Sequence, residues 1–138
     1  MQMLRNAFWE IMGEIVRAYP HLPYKSRLDL LKRNGIAVWD VCESAQRTGS
    51  LDSKIIKSTV VPNDFNSFLD KHPKIEAVFF NGTVAAKLFR WCFYPYQARL
   101  ESLKLQILDS TSPARTIAKG EKIRRWLSAL SPHISRLD

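Results

Sequence analysis

Apolar residues recur at helical spacing in some segments of the chain and stand in short unbroken runs in others. The segment 7–18 predicts an amphipathic helix, and Asn6 lies at or just before its start, where an asparagine side chain can cap free backbone N–H groups. A second helix is predicted over 24–34 and ends at Gly35 as a C′ residue. The first part of the chain is therefore predicted to be helical. The apolar face of the first helix is formed by Phe8, Ile11, Ile15 and either Met12 or Val16.

Runs rich in β-branched and aromatic residues predict strands. They are "IAVWDVC" at 36–42 and "SLKLQIL" at 102–108, both expected to be buried, and "IEAVFF" at 75–80. The polar stretch 43–62 is predicted to be a long loop with room for one short element.

Further helices are predicted between and after these strands. One covers 63–73 with Asn63 or Asp64 as its cap, and another follows the turn at 81–82. The last helix is predicted over 116–130, and strands that alternate with helices indicate an α/β fold, a three-layer α/β/α sandwich with a short, mainly parallel sheet. The apolar side of the last helix is Ile117, Ile123, Trp126, Leu127 and Leu130.

Length and composition are those of a globular protein. The chain has 138 residues, of which 46% are hydrophobic, and is most simply one domain over 1–138. No apolar stretch approaches the roughly 20 residues that span a bilayer, so no membrane association is expected. Cys42 and Cys92 form neither a disulfide framework nor a zinc motif, which favours a reducing cytoplasm.

The net charge of +8 suggests a polyanionic partner, although a solvated basic surface explains the charge equally well. The positive residues Lys119, Lys122, Arg124 and Arg125 are concentrated in the last predicted helix. Just before it, "STSPAR" at 110–115 combines small hydroxyl residues, which bond phosphate oxygens, with a proline that stiffens the loop. A Ser/Pro loop before a basic helix is also common in proteins without such a role.

In open α/β sheets, ligands bind beyond the carboxyl ends of the strands. Asn81 and Gly82 lie at such an end, where a helix N-terminus offers free N–H groups to an anion or a base carbonyl. The alternative is that Asn81 forms the turn or caps the helix. The phosphate-binding motifs GxxxxGK[ST] and GxGxxG are absent from the sequence.

Four ordered segments together resemble the hypoxanthine-DNA glycosylases, the deoxyinosine-excising branch of the uracil-DNA glycosylase superfamily. They are "RNAFW" (5–9), "GIAVWDVCESAQRTGSLDSKI" (35–55), "VFFNGTVAAKLF" (78–89) and "STSPA" (110–114). The resemblance implies a DNA-repair enzyme that binds double-stranded DNA, flips a deaminated base (hypoxanthine or uracil) into a pocket and hydrolyses its N-glycosidic bond without metal or other cofactor. It also implies a monomer, associated with the nucleoid in a prokaryote.

The same resemblance assigns roles to single residues. Asn6 matches the asparagine of the family's PxNxFW segment and is the catalytic candidate. Phe8 and Trp9 match its aromatic pair and, with Asn81, are candidates for the base pocket, although both aromatic residues would equally suit a core. The STSPA segment matches the superfamily's second motif, which presses on the DNA backbone and minor groove. The DNA-contact candidates are Ser110, Thr111, Ser112, Pro113, Arg115 and Lys119.

Relative to the family pattern, the chain is expected to lack the first strand, its Gly-Ser-x-Pro-like turn and the segment before Leu4. Three function classes are consistent with the sequence. The first is a DNA glycosylase. The second is a non-catalytic or truncated DNA-binding relative, and the third is a basic α/β protein unrelated to DNA.

Overall fold

A computed structural model of the chain describes residues 6–39, 42–47, 55–62, 64–93 and 101–134. The helices and strands, in chain order, are α1 (Phe8–Val16), α2 (Tyr24–Arg33), β1 (Cys42–Arg47), β2 (Ile55–Pro62), α3 (Phe65–Lys71), β3 (Ala77–Asn81), α4 (Thr83–Phe93), β4 (Lys104–Leu108) and α5 (Lys119–Leu130), followed by a 3₁₀ turn (Ser131–His133). The fold is α/β, as predicted.

The chain divides into two compact units. Unit 1 contains the residues up to Val38 and those from Leu108 onward, and unit 2 contains Trp39–Ile107. The single domain expected over 1–138 stays a prediction. No helix within the described ranges has both the length and the apolar character that a membrane span requires.

Helix α1 belongs to unit 1 and packs against α5. Of its predicted apolar face, Ile11 is buried and Phe8 and Ile15 are half-buried, and the choice between Met12 and Val16 is resolved because both are buried. Ile11 is fully buried, and large apolar side chains in such positions contribute most to stability. The helix ends where Arg17 adopts the left-handed conformation, with φ of 65° and its N–H bonded to the carbonyl of Gly13 at 2.9 Å.

The end of α2 follows the prediction. Gly35 has φ of 76°, a conformation that glycine adopts without strain. Its N–H donates to the carbonyl of Lys32 at 3.0 Å, and the N–H of Ile36 donates to that of Leu31 at 2.9 Å. This pair of bonds is a Schellman motif, which satisfies the last carbonyls of the helix.

Unit 2 contains the predicted strand–helix–strand unit. Strands β3 and β4 pair in a short parallel sheet, and α4 connects them. Gly82, with φ of 93°, makes the tight turn from β3 into α4. Phe80 and Phe89 form the centre of a small apolar cluster with ring centroids 5.0 Å apart. The predicted cap of α3 is also confirmed, because the carboxylate of Asp64 accepts the N–H of Ser67 at 3.0 Å, whereas Asn63 lies outside the described residues.

The buried strand predicted at 36–42 is wrong. Residues 36–39 form no strand, while Asp40 and Val41 lie outside the described residues and Cys42 already begins β1. Val38 and Trp39 are 54% and 45% exposed, and the Trp39 ring packs edge-on against Phe65 and Phe68. An aromatic, β-branched composition indicates a half-buried surface rather than a strand as such, so it misled here.

The long loop predicted at 43–62 is also wrong. Strands β1 and β2 form an antiparallel pair in which Arg47 lies opposite Ile55 and Cys42 opposite Pro62, with register irregularities between these ends. Main-chain hydrogen bonds hold such a ladder together, and they do not require apolar side chains. Because the sequence of β1 is polar, it contains no apolar pattern from which this strand could be recognised.

Two burial expectations for the remaining elements need correction. Strand β4 occurs as predicted, but Leu105 and Ile107 are 45% and 50% exposed. Helix α5 begins at Lys119 rather than 116, and Leu127 is 43% exposed. The buried side of α5 is Lys122, Trp126 and Leu130, at four-residue spacing, and Leu127 is turned away from it by one helical step of about 100°.

The two helical glycines provide a matched test of this packing. A Cβ on Gly13 in α1 would lie 2.6 Å from the Tyr19 ring and 3.2 Å from its Cα, whereas a Cβ on Gly120 in α5 meets nothing within 4 Å. Gly13→Ala should lower the free energy of unfolding by about 1–3 kcal/mol through overpacking. Gly120→Ala should leave it unchanged or raise it by up to about 1 kcal/mol through helix propensity. Chemical denaturation of both variants checks this, and equal effects would contradict it.

Candidate functional site

Asn6 lies immediately before α1 and is tied to the STSPA loop, defined as residues 110–114. Its side-chain Oδ1 accepts the N–H of Phe8 at 3.0 Å and the hydroxyl of Thr111 at 2.6 Å. The first bond satisfies the backbone N–H of Phe8, the first residue of the helix. The N-cap residue is Ala7 rather than Asn6, so Asn6 assists the helix start from one position earlier than a capping residue would. The second joins the two segments that carry the resemblance, although 105 positions separate them in the chain.

Three backbone carbonyls of this loop region accept hydrogen bonds from outside the loop. The carbonyl of Asp109 accepts the indole N–H of Trp126 at 2.9 Å. The carbonyl of Thr111 accepts the backbone N–H of Ala7 at 2.9 Å, and that of Ser112 accepts the Nζ of Lys122 at 3.0 Å. Two of these donors belong to α5 and one to the segment before α1, so both elements position the loop.

The loop serines form hydrogen bonds within the loop itself. The hydroxyl oxygen of Ser110 accepts the N–H of Ser112 at 3.1 Å, and that of Ser112 accepts the N–H of Ala114 at 3.2 Å. Such short-range bonds shape a turn. Pro113 is exposed, Ser110 and Ser112 are half-buried, and Thr111 is only 1% exposed. The exposed part of the loop is therefore Pro113 and Ala114, whereas the Thr111 side chain is buried.

Asp109 connects the start of the loop with its end and with α5. Its carboxylate pairs with Arg115 at 3.1 Å and with Arg125 at 3.1 Å. Partial burial alone would raise the pKa of Asp109, but hydrogen bonds from Arg125 and Arg115 and their positive charges outweigh it and hold the pKa below its ordinary value. Arg115, a predicted DNA contact, thus also closes the loop.

A second ion-pair group lies on α5. Glu121 accepts hydrogen bonds from Arg124 and Arg125, which lower its pKa to about 2. Lys119, another predicted DNA contact, pairs with Glu10 of α1. Several of the positive charges that the sequence concentrates in this helix are therefore matched by carboxylates of unit 1, and the exposed pairs contribute little stability individually.

Lys122 does not belong to the basic surface that the sequence suggests. It is 4% exposed and lies on the inner side of α5. Burial lowers the pKa of its ammonium group, and the charge of Arg115 acts in the same direction against the opposing charge of Asp109. A buried ammonium is costly unless it is hydrogen-bonded, and the Ser112 carbonyl supplies that bond. Its four-residue spacing from Trp126 was the signal in the sequence.

Beside the loop is an open cavity of about 350 Å³ in unit 1. Within the described part of the chain, no group of three or more His, Cys, Asp or Glu side chains is arranged to hold a metal ion. The cavity is polar and carries both signs of charge, which suits a hydrated or anionic ligand better than an apolar one. Its lining includes Glu10, Thr111, Pro113, Arg115, Lys119 and Lys122.

Phe8 and Trp9 belong to an aromatic row that continues to Tyr24 on one side and Trp126 on the other. Neighbouring ring centroids in this row are 5.0 to 6.0 Å apart, in edge-to-face arrangements. The guanidinium of Arg27 lies 4.6 Å from the centroid of Trp9. Both predicted pocket residues are half-buried and neither lines the cavity, so the row packs α1 against α2 and α5.

Asn81, the other predicted pocket residue, belongs to unit 2. It ends β3 and is exposed, directly before the buried Gly82. The structure therefore brings together Asn6, the STSPA loop, Arg115 and Lys119 in unit 1, and it places Asn81 at the carboxyl end of a parallel strand, as predicted.

Removal of the Lys122 ammonium tests how far it holds the loop. Lys122→Met keeps the length of the side chain but leaves the Ser112 carbonyl without its donor, so the free energy of unfolding should fall by about 1–3 kcal/mol. Lys119→Met, on the same helix, removes only an exposed ion pair and should cost about 1 kcal/mol or less. Urea denaturation of the two variants measures the difference, and equal costs would show that the buried bond contributes nothing special.

Asp109 makes the stability of the fold decrease at low pH. Because its pKa is lower in the folded chain than in the unfolded one, its contribution is complete above its ordinary value of 3.8 and is lost as the pH falls through the lower folded value. Asp109→Asn should therefore melt at a lower temperature at pH 7 and show a shallower loss of melting temperature below pH 4. Asp70→Asn, an exposed position on α3, is the control and should follow the wild type.

No family model matches the chain. Two proteins named hypoxanthine DNA glycosylase are similar to it. The one from Methanosarcina barkeri is 30% identical over 125 residues, which cover 90% of this chain and 74% of the relative. The one from Methanosarcina acetivorans is 35% identical over 122 residues, which cover 88% and 72%.

A solved structure gives the same result. The solution NMR structure of a Methanosarcina acetivorans protein assigned as a uracil DNA glycosylase superimposes with a TM-score of 0.67 at 29% identity, covering 89% of this chain and 72% of that one. Sequence and structural similarity therefore agree over nearly the whole length of this chain. The chain belongs to the hypoxanthine-DNA glycosylase branch of the uracil-DNA glycosylase superfamily.

Proposed function

We propose that this protein is a DNA glycosylase that excises a deaminated base, hypoxanthine first and uracil second, from double-stranded DNA. The names of the relatives support this chemistry. The observation that carries the proposal is the hydrogen bond between Thr111 and Asn6, since it joins the two family segments to which catalysis and DNA contact are assigned.

The described groups suit the reaction. Excision requires an extruded nucleotide, a donor for the charge that develops on the departing base, and an oriented water. Asn6 is exposed and carries an amide that can take part in such contacts. Pro113 is a stiff and exposed apolar residue two positions from Thr111, which supports its proposed role of pressing on a DNA groove.

The charge of the chain supports a nucleic-acid substrate in a weaker way. A net charge of +8 favours association with a polyanion. The ion pairs of Arg115 with Asp109 and of Lys119 with Glu10 reduce the share of this charge that the two predicted contacts offer to phosphate. We propose that Arg115 and Lys119 mainly orient the loop and that their contacts with the DNA backbone are secondary. We also propose that the protein acts as a monomer in the cytoplasm.

An excision assay tests the proposal. Oligonucleotide duplexes with a single deoxyinosine or deoxyuridine should acquire an abasic site when incubated with the protein, seen as strand cleavage after alkali. Asn6→Ala should lower the rate by about 10²- to 10³-fold, the usual effect of removing one transition-state hydrogen-bonding group. Asn66→Ala, on α3 of unit 2, is the matched control and should stay within about twofold of the wild type.

Two results would contradict different parts of the proposal. Full activity of Asn6→Ala would remove Asn6 from catalysis while leaving the glycosylase assignment intact. Binding to duplex DNA without excision of either base would rule out the enzyme and favour the non-catalytic DNA-binding relative.

A further inference from the structure

The hydrogen bonds of Asn6 determine which end of its amide is available to a ligand. An amide oxygen accepts through two lone pairs, and the amide nitrogen only donates. The backbone N–H of Phe8 has no lone pair to offer, so the atom it contacts at 3.0 Å must be the oxygen. The orientation of the Asn6 amide therefore follows from the chemistry of its partner.

Both acceptor positions of Oδ1 are in use. Phe8 takes one, and the Thr111 hydroxyl takes the other at 2.6 Å, a short bond for two neutral groups. The opposite end of the amide, Nδ2, forms no hydrogen bond with any described residue, and the residue is exposed. What Asn6 presents outward is consequently a pair of N–H donors.

Thr111 is well suited to hold this orientation. It is 1% exposed, and its carbonyl is bound by the N–H of Ala7 at 2.9 Å. The next residue, Ser112, is bound through its carbonyl by the buried Lys122. The hydroxyl is thereby carried on a backbone that is held on both sides. Turning the amide over would set Nδ2 against the N–H of Phe8, two donors facing each other, and would leave Nδ2 donating to the Thr111 hydroxyl instead of facing outward.

We propose that Thr111 is a positioning residue that locks the amide of Asn6, so that Nδ2 donates a hydrogen bond to the departing base. The role of Thr111 is then to orient Asn6 rather than to contact DNA. The inference rests on the proposed glycosylase function and assigns Asn6 the role of donor rather than of acceptor for the attacking water.

The chemistry balances without a further reactant. When the bond between C1′ and the base nitrogen breaks, its electron pair stays with the base, whose acceptor atom gains negative charge and a stronger hydrogen bond from Nδ2. The water oxygen bonds to C1′, and its proton leaves for the base or the solvent. The products are the free base and an abasic site.

Variants at position 111 test the lock. Thr111→Val keeps the shape but removes the hydroxyl, and we expect kcat for deoxyinosine DNA to fall roughly five- to tenfold, the effect of one hydrogen bond, with KM nearly unchanged. Thr111→Ser restores the hydroxyl and should return kcat to within about threefold of the wild type. A fall in kcat that serine does not reverse, at an unchanged melting temperature, would overturn the proposal.

A second variant tests the donor directly and does not depend on the Thr111 variants. In Asn6→Asp, one carboxylate oxygen can accept from Phe8 and Thr111, and the other presents lone pairs in place of N–H groups. Its activity at pH 7, relative to the wild type, should fall about 10²- to 10³-fold. As the pH is lowered, the protonated carboxyl regains a donor, so relative activity should rise about tenfold per pH unit while the pH stays above the pKa of the carboxyl. Wild-type activity of Asn6→Asp at pH 7 would show that Asn6 acts as an acceptor and would overturn the proposal.

Binding separates this inference from the proposed function. The measured quantity is the ratio of affinities for deoxyinosine DNA and for the matched undamaged duplex, which cancels general repulsion between Asp and phosphate. If the wild type excises nothing, the glycosylase proposal fails, and this ratio still decides the donor role. If the preference for deoxyinosine DNA is lost in Asn6→Asp at pH 7 and regained in acid, the donor role is supported. An unchanged preference in this variant, or no preference in the wild type, overturns it.

Discussion

The hydrogen bond from the Thr111 hydroxyl to Asn6 is the contact on which the candidate site depends. It closes unit 1 across 105 residues of sequence and acts together with the backbone bond from Ala7 to Thr111, so the start of α1 and the loop before α5 form one structure. The bond between Thr111 and Asn6 and the bond between Ala7 and Thr111 together orient the loop against the helix start more definitely than either bond alone. A single amide bound by helix start and loop at once has little freedom, and this is the preorganisation that catalysis by hydrogen-bond donors requires.

The charges of the loop region serve structure before they serve binding. Asp109 is paired with arginines at the end of the loop and on α5, and Lys122 reaches a loop carbonyl from the buried side of the same helix. A helix rich in lysine and arginine thus uses part of its charge internally. Arg115 has a carboxylate partner as well as a position on the cavity wall, so under the proposed function the same residue would serve both the stability of the loop and the attraction to DNA.

The aromatic row gives the site a firm base. Phe8 and Trp9, expected in the base pocket, contact Trp126 and Tyr24, and the Trp126 indole also holds the carbonyl of Asp109. The same rings that pack α1 against α5 thus anchor the first residue of the loop region. The packing of α1 and the placement of the loop are consequently coupled. A substitution of Phe8 or Trp126 is expected to affect both.

By itself the sequence determined the elements that local pattern controls. The helical repeat around Ile11, the turn at Gly35, the cap at Asp64 and the strand–turn–helix at Gly82 are consequences of spacing and backbone preference, and all occur as predicted. The ordered motifs also identified the family. Only the tertiary structure decided which apolar run is buried, that polar residues 42–47 pair as a strand, and that Thr111 turns its hydroxyl to Asn6. These outcomes depend on which surfaces meet across the fold, and partners distant in sequence leave no periodic signal in a single chain.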